Sequence, residues 1–170
     1  MRSRHFQNVL NETEQPDDME VSETNWVWER GGGRRAQQKL IKEQVFKFCQ
    51  EVAKDLGGGH SEAVYEQALL RRLYNARIPV LRQVQWFSKT ENGDLLSVGY
   101  ADLEIDHFLI VELKIGSKIK AEHILQLNRY MRAAEKMQSP HYCGAVICFQ
   151  SSESGDNCQV SVHEIVKDEY

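Results

Sequence analysis

The sequence predicts an α/β domain in which helices flank a mixed β-sheet. Two amphipathic helices come first, three strands linked by tight turns follow, and a third helix leads to two more strands. A helical crossover joins the third strand to the fourth, so these two strands are expected to run parallel, whereas strands joined by hairpins run antiparallel. The predicted core therefore has the order αβββαβ.

Each element follows from a local pattern. The first helix has apolar residues at helical spacing and ends at Gly57-Gly58-Gly59, and the Asn92-Gly93 pair predicts the hairpin turn between the first two strands. The predicted helices are 34–56, 61–76 and 120–137, and the predicted strands are 80–89, 95–105, 108–115, 142–149 and 158–166. The alternation of the last strand is typical of a sheet edge.

Residues 1–33 are predicted to form a tail outside the domain, which spans residues 34–170. The tail is polar and acidic and ends in Gly31-Gly32-Gly33, so it buries too little apolar surface to order itself. Trp26 and Trp28 are its exception. Two interpretations stay open for them: packing on the domain's own surface, or docking to a partner protein.

The composition excludes several classes of protein. Apolar residues make up 41 % and charged residues 27 % of the chain, and no apolar run is long enough to cross a membrane. The N-terminus lacks the apolar segment of a secretory signal, and the four cysteines include no CxxC pair, so we expect reduced thiols in an intracellular protein of the cytoplasm or nucleus. The pI near 5.9 argues against a metal-free nucleic-acid binder but not against an enzyme with a local basic groove.

The second and third strands carry the residues that are suited to catalysis or metal binding. Alternation places Glu112 and Lys114 on one face of the third strand and Asp102 among the polar positions of the second. The apolar residues expected together on the opposite face are Ala101, Leu103, Ile105, Leu109, Val111 and Leu113. The register that buries them sets Leu103 opposite Val111 and Asp102 opposite Glu112. This register requires an odd-length turn or a bulge near residues 106–108.

Two adjacent carboxylates repel each other unless a proton or a cation bridges them. Oxygen ligands with open positions suit Mg²⁺ or Mn²⁺, and a lysine two residues from one ligand can orient a water or neutralise charge on a phosphate. Asp102, Glu112 and Lys114 therefore predict a metal-dependent site. The alternative is a surface acid pair with a salt-bridging lysine.

Two further patterns accompany these residues. Gly59-x-x-Glu62-x-x-Tyr65 begins the second helix, and Gln126 and Tyr130 lie one turn apart on the third. With the Ala101-Asp102-Leu103 and Glu112-x-Lys114 segments, residues 36–150 resemble the GxxExxY proteins, a branch of the PD-(D/E)XK nuclease superfamily. The resemblance implies a restriction-endonuclease-like core.

The resemblance also implies a role for each site residue. The implied metal ligands are Asp102, Glu112 and the helix acid Glu62, with Lys114 as catalytic lysine and Gln126 and Tyr130 positioning the substrate or Lys114. Glu66, one turn after Glu62, is the alternative helix acid. For Tyr65, a core position and a site role both stay open.

The expected function is hydrolysis of nucleic-acid phosphodiester bonds with Mg²⁺ or Mn²⁺, with DNA preferred over RNA as substrate. Lys118 and Arg129 are expected to contact the phosphate backbone without reading sequence. The alternative function is that of a non-catalytic structural or adaptor subunit that uses a nuclease-like fold as a scaffold.

Overall fold

The computed structural model describes residues 33–139, 143–152 and 154–167. Residues 1–32 of the predicted tail, with Trp26 and Trp28, lie outside these residues. The elements are α1 (Arg34–Leu56), α2 (Glu62–Asn75), β1 (Val80–Lys89), β2 (Leu95–Ile105), β3 (Leu109–Ile115), α3 (Ala121–Lys136), β4 (Cys143–Ser151) and β5 (Cys158–Val166). Within the described residues, no helix is both long and apolar enough to cross a membrane.

The five strands form one mixed sheet in the order β1-β2-β3-β4-β5. β3 and β4 run parallel, and the other three neighbouring pairs run antiparallel. The crossover through α3 explains the parallel pair, since a helix returns the chain to the starting end of the sheet. The predicted α/β class, the αβββαβ order and the edge position of β5 are confirmed.

The helices divide between the two faces of the sheet. The helical residues of one buried cluster come from α1 and α2, whereas those of the second come from α3. β4 contributes to both clusters by simple alternation: Ala145 and Ile147 face α1 and α2, while Val146 faces α3. A β-sheet with a helical layer on each face is therefore the frame that holds the candidate site.

The β2–β3 register agrees with the one that hydrophobic burial predicts. Leu103 pairs with Val111 and Ile105 with Leu109, and all four side chains belong to the cluster under α1 and α2. The connection is a three-residue turn, residues 106–108, so the odd-length turn is also confirmed. Phe108, predicted as the first residue of the strand, belongs to this turn, where its N–H donates to the Ile105 carbonyl at 3.1 Å.

The predicted alternation of β2 is wrong at Ala101. Its side chain packs in the α3 cluster, on the face opposite Leu103. The reason is a kink next to Asp102: in β1 the neighbouring Gln83 has a left-handed φ of 50°, and the bridged pairs on either side of it are Val84–Ala101 and Arg82–Leu103. A residue with positive φ interrupts the pleat, so the side chains before and after it change faces.

Candidate active site

Asp102 lies where β2 and β3 separate. The bridged register of the two strands ends at Leu103 and Val111, which leaves the N–H of Leu113 without a partner on β2. The Oδ2 atom of Asp102 accepts that N–H at 2.8 Å, and the Gln83 amide donates to Oδ1 at 3.3 Å. The carboxylate thus takes the place of a β2 backbone acceptor for the Leu113 N–H. It is held in the opening between β2 and β3.

Glu112 is a buried acid with one unsatisfied oxygen. Its side chain is only 1 % exposed, and its Oε2 atom accepts a hydrogen bond from Lys114 at 2.8 Å. Its Oε1 atom is buried and has no hydrogen-bond partner among the described residues. Burial, and then the negative charge of Asp102, raises the pKa of Glu112 from 4.5 to about 7. An acid in this position needs a cation or a proton to be stable.

Lys114 joins the two acids. Its ammonium lies 2.8 Å from Glu112 Oε2 and 3.9 Å from Asp102 Oδ2, and its side chain is 18 % exposed. Burial alone would lower the pKa of Lys114, but the hydrogen bond to Glu112 and the charges of Glu112, Asp102 and Glu62 together raise it. The lysine therefore stays protonated and compensates the neighbouring carboxylates.

Glu62 is a helix acid that interacts electrostatically with Lys114 and Asp102. It begins α2 and is partly buried, and burial, opposed by the charge of Lys114 and reinforced by that of Asp102, raises its pKa. Glu66, the alternative, is occupied elsewhere, since one of its oxygens accepts hydrogen bonds from the Arg82 guanidinium at 2.6 and 2.7 Å. Glu66 is thus paired with Arg82, whereas the charges of Lys114 and Asp102 act on Glu62.

The position of Glu62 depends on the loop before α2. Tyr65 is fully buried, stacks on Phe149 with ring centroids 4.4 Å apart, and donates its hydroxyl to the Gly57 carbonyl at 2.8 Å. At Gly58 a Cβ atom would lie 2.8 Å from two backbone carbonyl oxygens of the loop between β4 and β5. Tyr65 thus has the core role of its two alternatives, and the glycine loop closes tightly on the next loop.

Gln126 and Tyr130 lie on α3, next to β2. The Gln126 amide donates to the Tyr130 hydroxyl at 3.0 Å, and that hydroxyl donates to the Tyr100 carbonyl at 2.9 Å. Burial, and further the charges of Glu112 and Asp102, raises the pKa of Tyr130, although the hydrogen bond from Gln126 opposes this. Both residues therefore support the backbone that leads to Asp102, and their hydrogen bonds run to each other and to β2.

The predicted phosphate contacts lie at the surface. Lys118 is exposed in the turn between β3 and α3, and Arg129 is exposed on α3 next to Tyr130. In the described part of the chain neither side chain forms an ion pair, so both are available to an anion.

Two residues near the site were not among the predicted site residues. Gln83 donates to Asp102 through a backbone conformation that no turn signal marks. His123, on the first turn of α3, is close enough to Lys114 that burial and the lysine's charge lower its pKa. An exposed-looking Gln and a helical His carry no sequence signal for these contacts, because both depend on tertiary placement.

The donor set fits a hard divalent cation. Asp102 and Glu112 supply oxygen ligands, and the unsatisfied Oε1 of Glu112 is available for coordination. No three His, Cys, Asp or Glu side chains of the described ranges already surround a common metal position. Lys114 compensates the two acids instead, and the charge of a further carboxylate, that of Glu62, helps to raise the pKa of Lys114.

The region that contains these residues matches a known protein family. A sequence profile of the PD-(D/E)XK nuclease superfamily matches residues 39–158, which include every predicted site residue from Glu62 to Tyr130. No curated protein matches the sequence. The crystal structure of SSO0001 aligns with 81 % of this chain at 16 % identity and a TM-score of 0.43, and this chain spans 63 % of that one.

Proposed function

Because the chain belongs to the PD-(D/E)XK nuclease superfamily, we propose that it is a metal-dependent nuclease that hydrolyses phosphodiester bonds of nucleic acids. The observation that carries the proposal is the buried Glu112 carboxylate, which faces Asp102 and leaves one oxygen unsatisfied. Two carboxylates placed in this way destabilise the metal-free protein. A site that binds a cation and a phosphate would explain why both acids are present.

Asp102 and Glu112 are the proposed metal ligands, with Glu62 as the third. A bound Mg²⁺ or Mn²⁺ would polarise a phosphate oxygen and lower the pKa of a water at the site. The hydrogen bond from the Leu113 N–H orients Asp102. Burial lowers the effective dielectric constant around Glu112 and so strengthens its electrostatic interactions. These residues therefore prepare the site before substrate arrives.

Lys114 is the proposed catalytic lysine. Its raised pKa keeps it protonated, so it donates N–H groups to a phosphate oxygen and stabilises negative charge in the transition state rather than accepting a proton. Gln126 and Tyr130 are positioning residues in this proposal, since they hold the backbone of β2 two residues before Asp102.

The proposed substrate is a nucleic acid, with DNA preferred over RNA, whose backbone phosphates contact Lys118 and Arg129. We also propose membership of the GxxExxY branch, in which Gly59, Glu62 and Tyr65 stand at the motif positions. The free cysteines of the described residues fit a reducing intracellular compartment.

A cleavage assay tests the proposal. Labelled single- and double-stranded DNA and RNA are incubated with wild-type protein in Mg²⁺, Mn²⁺ or EDTA, beside Asp102→Asn, Lys114→Ala and the exposed control Lys54→Ala. We expect metal-dependent cleavage that falls by roughly 100-fold or more in the two site variants and is unchanged in the control. Undiminished cleavage in both site variants would refute the assignment. Absence of cleavage by the wild-type protein on all four substrates would favour the adaptor alternative.

A further inference from the structure

Gln83 and Asp102 lie opposite each other at a kink in the β1–β2 strand pair. The bridged pairs on either side keep one register, yet these two residues do not pair. Residues two apart in a regular strand share a face. Here Val84 packs against the α3 cluster, whereas Arg82 forms an ion pair with Glu66 of α2 on the other face. The pleat is therefore interrupted at Gln83, which has a φ of 50°.

The Asp102 carboxylate is held at both of its oxygens. The Leu113 N–H donates to Oδ2 at 2.8 Å, and the Gln83 side-chain amide donates to Oδ1 at 3.3 Å. The torsion angle that rotates a carboxylate has a broad energy minimum, so a single hydrogen bond would leave the carboxylate plane loosely defined. Donors on both oxygens define this plane, and with it the direction of the lone pairs that remain free to bind a cation.

The backbone of Gln83 is strained for a residue that carries a side chain. A left-handed φ is unfavourable for glutamine, and residues with such conformations cluster at functional sites. The side chain is exposed, so its own burial does not offset the strain. A glycine would adopt the same φ readily and form the kink equally well. What glutamine adds to the kink is the amide that reaches Asp102.

We propose that Gln83 is a positioning residue, whose amide orients Asp102 so that its carboxylate and that of Glu112 bind one cation. This inference rests on the proposed nuclease function, because it assigns a role toward the proposed metal ligand. The amide is neutral, so it orients Asp102 without compensating the negative charge that attracts the cation. Hydrogen bonds to metal ligands from residues that do not touch the metal commonly set metal affinity.

Isothermal titration with Mn²⁺ at pH 8 tests this role without any substrate. The variants are Gln83→Gly and Gln83→Ala. The matched control is Gln85→Ala, which removes another exposed glutamine of β1, one whose amide donates to Ser97 at 3.1 Å. We expect both Gln83 variants to bind Mn²⁺ about tenfold more weakly than the wild type, and the control to bind as the wild type does.

Thermal unfolding in EDTA separates positioning from a structural role. Gln83→Gly should melt at or above the temperature of the wild type, because glycine adopts a positive φ readily. Weaker metal binding without loss of stability is the result that positioning predicts, since a purely structural role would lower both.

The proposal is overturned if either Gln83 variant binds Mn²⁺ as tightly as the wild type, or if Gln83→Gly loses binding and stability together. A wild-type protein that binds no Mn²⁺ is a different result. It contradicts the proposed metal site itself, and the role of Gln83 fails with it.

Discussion

Replacing Glu112 by glutamine removes a buried charge with little change in shape. The pKa of Glu112 is about 7 in the folded protein against an ordinary 4.5, so its ionisation at pH 8 destabilises the metal-free fold by about 3 kcal/mol, at 1.36 kcal/mol per unit. That pKa already includes the attraction of Lys114. A neutral glutamine resembles the protonated acid, and Glu112→Gln is therefore expected to be more stable than the wild type above pH 7.

The sign follows from proton binding. The folded state retains a proton on Glu112 that the unfolded state loses near pH 4.5, so this stabilisation is complete below pH 4.5 and disappears as the pH rises through about 7. In EDTA, melting temperatures of the two proteins should converge near pH 5 and differ at pH 8 by roughly 6–12 °C. The exposed Glu91→Gln is the matched control and should follow the wild type.

Differential scanning calorimetry between pH 5 and 8.5 measures both curves. Parallel curves for wild type and Glu112→Gln would show that Glu112 titrates as an ordinary acid, and the reasoning from burial would fail. Excess Mn²⁺ should reverse the ranking at pH 8, since it stabilises only the protein that keeps the carboxylate.

Two further predictions concern the frame and the surface. Gly58→Ala places a methyl group 2.8 Å from two backbone carbonyl oxygens and should cost about 1–3 kcal/mol in urea unfolding; a midpoint equal to that of the wild type would contradict the tight loop contact. Lys118→Ala and Arg129→Ala should each reduce the slope of log affinity against log salt for DNA by about one, and unchanged slopes would remove both residues from the interface.

Hydrophobic burial explains why the centre of the site can be predicted from the sequence. Leu103 and Val111 must face the core together, and a strand pair has only one register that achieves this with Ile105 and Leu109 also buried. That register brings the strand positions of Asp102 and Glu112 together, whatever the two acids do.

Other features depend on contacts that no local pattern encodes. The positive φ of Gln83 kinks the strand pair and moves Ala101 to the α3 face, yet glutamine is not a turn residue. The hydrogen bond from the Tyr130 hydroxyl to the Tyr100 carbonyl spans 30 residues of sequence. The ion pair between Glu66 and Arg82 likewise joins a helix to a strand. Only the folded structure therefore distinguishes Glu62 from Glu66 as the candidate helix acid.

The central claim is that Asp102 and Glu112 together bind a divalent cation, and isothermal titration with Mn²⁺ tests it without knowledge of the substrate. Asp102→Asn is the appropriate variant, because an asparagine oxygen can still accept the Leu113 N–H and preserve the fold. We predict that the wild type binds Mn²⁺, more tightly at pH 8 than at pH 6, and that Asp102→Asn does not bind it. A wild-type protein that ignores millimolar Mn²⁺ at pH 8, or a variant that binds it equally well, would contradict the claim.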